Sequence, residues 1–249
     1  MIKAVIFDLD GTLIQTEVLK ATSYAHAIEF LSNGQLSKKE VLDSFGQFVG
    51  LSRTEVVKGL SEHFAESLSN NLQTDDLEIV GRKLISKRLE IYRGMLGNAE
   101  LLSQHFCPFT LGLFHQLQTD GFKVVLATMS HLPEAKRITT IMEIYYKFDL
   151  ILTRDDVDQG KPDPEIYNLA RTKLGLTANE CLVIEDSVNG IKAAQNAAIP
   201  VFAVTNDVTR QSVHDCKLLE PEFVVDNLEE LKIRVYTFIE AQKIASSGS

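Results

Sequence analysis

Six short apolar, β-branched runs recur along the chain, and they constrain the fold more than any other feature. The first, residues 3–9 (KAVIFDL), stops at Asp10-Gly11. The others are KVVLAT (123–128), DLILT (149–153), ECLVIE (180–185), PVFAV (200–204) and the weaker EFVVD (222–226). Strands buried on both faces of a parallel sheet read as continuous apolar stretches of this kind. Helical patterns fill the intervals at 133–146, 164–175, 187–198 and 209–217, and a last one at 228–239 opens on Asn227 as N-cap. Strands alternating with helices predict an α/β fold: a Rossmann-like parallel sheet core with helices on both faces.

Residues 16–95 break the alternation. They hold no convincing strand, while Val18, Ala21, Ala25, Ile28 and Leu31 recur at helical spacing, and Leu77, Val80, Leu84 and Ile91 do so more loosely. The expectation is an inserted α-helical subdomain of four helices at 16–95. The α/β core would then be split between 1–15 and 96–249, with Gly94 and Gly97 as flexible backbone at the second joint.

Composition excludes several classes. In 249 residues, 34 Asp and Glu outnumber 25 Lys and Arg, a formal charge of −9 that disfavours nucleic-acid or anionic-membrane partners. Cys107, Cys181 and Cys216 form no CxxC pair, so neither a disulfide framework nor a zinc site is suggested. Residues 101–119 lack Asp, Glu, Lys and Arg, but His105, Pro108, His115 and three glutamines make them too polar for a bilayer core. The N-terminus has no signal-peptide pattern. A soluble, cytoplasmic monomer is expected.

Four segments carry chemistry. In Phe7-Asp8-Leu9-Asp10-Gly11-Thr12, strand alternation sends Asp8 and Asp10 to the same side near the strand's carboxyl end, where open α/β sheets bind ligands. Two acids there repel unless a cation lies between them or one keeps a proton. A second strand ends in Glu185 and Asp186, which can add hard oxygen ligands for a metal or simply favour the following helix's dipole. Lys161 stands in Gly160-Lys161-Pro162-Asp163-Pro164, a stiff loop; it is either a cation among carboxylates or a solvated surface lysine. Thr128, Ser130 and His131 lie between a strand and a helix, where hydroxyls and main-chain N–H groups make an anion site or an ordinary cap.

Taken in this order, DxDGT at 8–12, the strand-end Thr128, Lys161 in GKPDP and Glu185 and Asp186 in EDSxxG resemble the haloacid dehalogenase superfamily, in its phosphatase and β-phosphoglucomutase-like branch. The resemblance implies an α-helical cap inserted into the core and a small phosphorylated metabolite as substrate. It implies that Asp8 attacks phosphorus to give an aspartyl-phosphate and that Asp10 serves as general acid and then base. Mg2+ would be held by Asp8, the main-chain carbonyl of Asp10, Glu185 and Asp186. Thr128 and Lys161 would hold the transferring oxygens, with Gly11, Ser130 and His131 beside them. Lys20, Ser52, Arg53 and Arg88 are the candidate substrate contacts of the cap. Asp10 argues for phosphate-ester chemistry, since dehalogenases of the superfamily typically lack a carboxylate there. Between activities, a phosphatase acting on a sugar phosphate is expected, with a β-phosphoglucomutase-type phosphomutase as the alternative. Gly50-Leu51-Ser52-Arg53 and Arg88 resemble the mutase, whereas Lys20 replaces its cap histidine and Gln15 the more usual acid. A scaffold without turnover is disfavoured, because all four motifs are intact.

Overall fold

The computed structural model describes residues 1–48 and 53–247. Six strands, β1 (Ala4–Phe7), β2 (Lys123–Ala127), β3 (Leu150–Leu152), β4 (Cys181–Glu185), β5 (Val201–Val204) and β6 (Val224–Val225), form one parallel sheet in the order β3-β2-β1-β4-β5-β6. Each strand falls within one of the six apolar runs. The direction of winding changes between β1 and β4, and in such sheets the crevice beyond the carboxyl ends opens at that point. Phe7 is aligned with Leu126 on one side and Ile184 on the other. The next residue, Asp8, is therefore level with Ala127 and Glu185, and its N–H donates to the Ile184 carbonyl at 3.0 Å.

The chain divides into two compact units, Thr16–Leu101 and Met1–Gln15 with Leu102–Ser249. The first is helical: α1 (Glu17–Leu31), α2 (Lys38–Phe45), α3 (Arg53–His63), α4 (Ala65–Leu72) and α5 (Leu77–Met95). Five helices are described where the periodicity predicts four, because Phe64 (φ −108°, ψ 22°) leaves the helical region and separates α3 from α4. Tyr24, Ile28, Val41, Phe45, Leu60 and Leu84 belong to its apolar core.

The second unit carries the sheet, with α6 (Ala99–Ser103) at its joint with the first. Its own helices are α7 (Pro108–Thr119), α8 (Leu132–Ile141), α9 (Glu165–Leu174), α10 (Val188–Asn196), α11 (Arg210–Cys216) and α12 (Leu231–Ser247). The pattern at 133–146 overruns: α8 stops at Ile141 and Glu143 takes φ 59°, which no helix continues through. Strand alternation divides β1 between two cores. Ala4 and Ile6 pack with Val125 and Val183 against Ile166 and Tyr167 of α9 and Ile191 of α10. Phe7 points the other way and meets Phe114 of α7 edge-on at 5.8 Å. All four β1 residues are fully buried, and each large apolar side chain so removed from water contributes about 1.5–3 kcal/mol. That burial anchors the strand from which Asp8 and Asp10 leave. No described helix is long and apolar enough to cross a membrane.

Candidate active site

After β1 the chain doubles back at Gly11, whose φ of +86° suits glycine and whose N–H donates to the Ile14 carbonyl at 2.7 Å. The planar trans peptide sends the Asp10 carbonyl opposite to that N–H, away from Ile14. Gln15 locks the turn, donating from Nε2 to the Gly11 carbonyl (3.0 Å) and to Cys107 Sγ (3.4 Å). A Cβ at Gly11 would fall inside the Asp186 carboxylate. Gly11→Ala is therefore expected to cost about 1–2 kcal/mol through its left-handed backbone alone, and more through displacement of Asp186. Urea unfolding and phosphate release would check this, and a variant with wild-type values in both would contradict the turn's role.

Asp8, Glu185 and Asp186 are buried, and each offers a carboxylate oxygen within 4.8 Å of the others. Lys161 is driven into this cluster rather than into solvent. Its loop is fixed by Asp163, which accepts from the Glu165 N–H (2.9 Å), and by Asn196 Nδ2, which donates to the Pro162 carbonyl (3.1 Å). The Lys161 ammonium reaches Asp8 Oδ1 and Glu185 Oε1, both at 2.7 Å, and the Ala127 carbonyl at 2.9 Å. Its three N–H donors are thereby matched to three acceptors.

One buried cation serves two carboxylates, and they fare differently. Burial pushes the Glu185 carboxyl up, but Lys161 and a set of donors overcome it and hold it below the ordinary carboxylate value. Those donors are Tyr167 Oη (3.0 Å) on Oε1, and the Asp186 N–H (2.9 Å), Ser187 N–H (3.1 Å) and Ser187 Oγ (3.1 Å) on Oε2. Burial pushes Asp8 up as well. Lys161 opposes this, but the negative Glu185 and Asp10 add to it, and Asp8 rises to about 7. Burial works against the Lys161 charge, yet the two carboxylates hold it well above the ordinary lysine value. Lys161 and Asp8 both rise, one keeping its charge and the other resisting it, and the two reconcile once Glu185 is counted: lysine and Glu185 form the satisfied pair, and Asp8 carries the excess charge. Three hard oxygen donors with a surplus of negative charge fit a divalent metal such as Mg2+.

Asp10 lies outside that trio. Its Oδ2 accepts from Ser130 Oγ at 2.6 Å and from Thr128 Oγ1 at 3.5 Å, while Thr128 Oγ1 accepts from the Ser130 N–H at 3.0 Å. The two hydroxyls expected at the phosphate thus converge on the expected proton carrier. The His131 side chain turns elsewhere: its ring contacts Asp155 Oδ1 at 2.5 Å at the start of α8.

The remaining expected residues belong to the helical unit. Lys20 pairs with Glu17 at 2.7 Å. Arg88 is 4% exposed, donates from Nε to Ser23 Oγ (3.0 Å) and lies over the rings of Tyr92 and Tyr24 at 4.2 and 5.1 Å. Arg53 opens α3. Burial raises the Tyr24 hydroxyl's pKa against the pull of Arg88, Arg53 and Lys20, so the three cations share one neighbourhood. Ser52 lies outside the described residues, as do Gly50 and Leu51.

Sequence reasoning passes over Tyr167, which holds Glu185 while its ring lies 5.0 Å from the Lys161 ammonium. It also passes over Asn206, two residues beyond β5, whose Nδ2 donates to Asp186 Oδ2 at 3.2 Å. The strand-end rule that singles out Asp8 and Glu185 reaches Asn206 as well once it is applied to neutral side chains.

The sequence profile of haloacid dehalogenase-like hydrolases matches residues 2–198. YhcW of Bacillus subtilis (strain 168) is 31% identical over 215 residues, covering 84% of this chain and 86% of that protein. A phosphorylated carbohydrates phosphatase of Thermotoga maritima is 27% identical over 239 residues, 92% of this chain and 99% of the relative. The crystal structure of β-phosphoglucomutase from Clostridium difficile superposes with a TM-score of 0.63 at 22% identity, over the whole of both chains, and shows the same fold. With the four motifs assembled on this sheet and the profile spanning most of its length, the chain belongs to the haloacid dehalogenase-like hydrolase family.

Proposed function

We propose that the chain is a Mg2+-dependent phosphatase that hydrolyses a small phosphorylated metabolite, a sugar phosphate, through an aspartyl-phosphate on Asp8. The observation that carries this reading is the division of labour between two carboxylates of one loop. Asp8 is buried in a charged cluster with Lys161, whereas Asp10 stands among hydroxyls. Phosphoryl transfer asks for positioning and charge neutralisation more than for covalent machinery.

In the first step an Asp8 oxygen bonds to phosphorus as the ester P–O bond breaks, and Asp10 gives its proton to the leaving oxygen. In the second, Asp10 takes a proton from water as that water attacks phosphorus; the acyl-phosphate bond breaks, freeing inorganic phosphate and the Asp8 carboxylate. Asp8, the Asp10 carbonyl, Glu185 and Asp186 would hold Mg2+, which when bound offsets the charge of both carboxylate and phosphate. Lys161, Thr128 and Ser130 would bind the transferring oxygens, joined by the main chain at His131 where α8 begins. In the same reading the helical unit is the family's cap, the part that sets substrate choice. The sugar-phosphate assignment draws support from the Thermotoga maritima relative.

The test is a phosphate-release screen over sugar phosphates, phosphoglycolate, nucleotides and pyrophosphate, with Mg2+ and with EDTA. Metal-dependent release from sugar phosphates is expected. Conversion of β-glucose 1-phosphate to glucose 6-phosphate without free phosphate would instead establish the mutase, and equal turnover in EDTA would refute the metal's part.

A further inference from the structure

We infer that Asn206 is a positioning residue for the metal carboxylate Asp186, an inference that rests on the divalent-cation reading above. Asn206 follows β5 by two residues, and both ends of its amide are engaged. Oδ1 accepts from the Val208 and Thr209 N–H groups at 2.9 and 3.0 Å. Two N–H donors can face only the amide oxygen, so the network itself fixes which way the amide points. Its Nδ2 is thereby aimed back across the sheet, donating to Asp186 Oδ2 at 3.2 Å and reaching the Gly11 carbonyl at 3.5 Å. The main chain stiffens the same turn: the Asn206 N–H donates to Thr209 Oγ1 (3.4 Å), and the Asn206 carbonyl accepts from the Arg210 N–H (3.0 Å).

The bond links the carboxyl end of β5 to that of β4 and to the Gly11 turn after β1. Its chemistry suits a metal ligand. An amide N–H orients a carboxylate without cancelling its charge, whereas a lysine or arginine in the same place would compete with the cation. Fixing one oxygen of Asp186 also removes rotational freedom that cation binding would otherwise have to remove. Asn206 thus does for Asp186, with a neutral donor, what the Ser187 and Tyr167 hydroxyls help to do for Glu185.

Asn206→Ser separates this role from the turn. A serine hydroxyl can accept from the N–H groups two and three residues on, but it is too short to reach Asp186. Titration calorimetry with Mg2+, and with Mn2+ as a tighter probe, is expected to show affinity about 10-fold weaker than wild type, at the low end of the usual 10–100-fold effect of such partners. The thermal midpoint in EDTA should stay near wild type, whereas Asn206→Ala should lower both affinity and midpoint. Turnover of Asn206→Ser should need correspondingly more Mg2+ and recover at saturating metal. Unchanged metal affinity in Asn206→Ser beside normal binding by wild type would overturn the inference alone. A wild-type protein that takes up neither ion would overturn the metal reading and this inference with it.

Discussion

Asp8→Asn is expected to abolish turnover and, at the same time, to make the metal-free protein more stable at pH 8. The loss of activity follows from the proposed role of Asp8 as nucleophile: an amide oxygen does not displace an alkoxide from phosphorus, and a reduction of at least about 10³-fold is expected. The gain in stability follows from burial. Burial, with Glu185 and Asp10 nearby, raises Asp8 from 3.8 to about 7 in the folded chain. Between those values the folded state keeps a proton that the unfolded state gives up, so stability falls as pH climbs from about 4 to about 7. At pH 8 wild type carries this cost in full, and the amide carries none of it. Near pH 4 the two proteins should unfold at similar temperatures, with the variant pulling ahead as pH rises. Glu185 shifts the opposite way at lower pH, but it is present in both proteins and drops out of the difference. Mg2+ at pH 8 should raise the wild-type midpoint more than the variant's. Thermal unfolding of both proteins at pH 4.5 and 8, each with Mg2+ and with EDTA, measures these differences. A variant no more stable than wild type at pH 8 would show that Lys161 already neutralises Asp8.

This destabilised carboxylate marks the limit of what the sequence reveals. The strands are legible because a strand covered on both faces must be apolar at every position, as residues 4–7 are. Asp8, Glu185 and Asp186 stand out because they end buried apolar runs, although Glu185 and Asp186 could equally serve the dipole of the helix that follows. Their meeting is not: it depends on β1 and β4 being neighbours with Phe7 opposite Ile184, and no local pattern encodes that register. Lys161 can be named as a cation from GKPDP, yet its burial and its three acceptors come only from the fold. Tyr167 reads as an ordinary apolar position of α9, and Asn206 as a turn former. Each becomes informative once its hydrogen-bond partner is known. The hydroxyls of Thr128 and Ser130 are legible as groups at a strand-to-helix junction, but not their convergence on Asp10. Phe64 ends one helix and starts the next without glycine or proline, which is why the helical unit was undercounted.

Lys161→Met should have the largest effect on stability. Methionine keeps the unbranched stem of the side chain but leaves Asp8 and Glu185 facing each other with no cation between them, at sites 9% and 1% exposed. Removing one partner of a buried ion pair costs about 3–5 kcal/mol, because the charge left behind stays desolvated. Protonation offers relief: Asp8, already at about 7, should move higher and become neutral without the lysine. The loss should accordingly be smaller at pH 5 than at pH 8, and Mg2+ should restore more stability to this variant than to wild type. Turnover should fall about 10²–10³-fold even with saturating metal, as when a donor to transition-state charge is removed. The cycle with Asp8→Asn apportions the ammonium between its two carboxylates. If Lys161 acts mainly on Asp8, its removal should cost markedly less stability once Asp8 is neutral, because the charge it offset is gone. Full additivity would mean that Glu185 alone makes use of the ammonium. Asp8 would then owe its raised pKa to burial with no relief from the lysine, and only the metal would hold it ionised for attack.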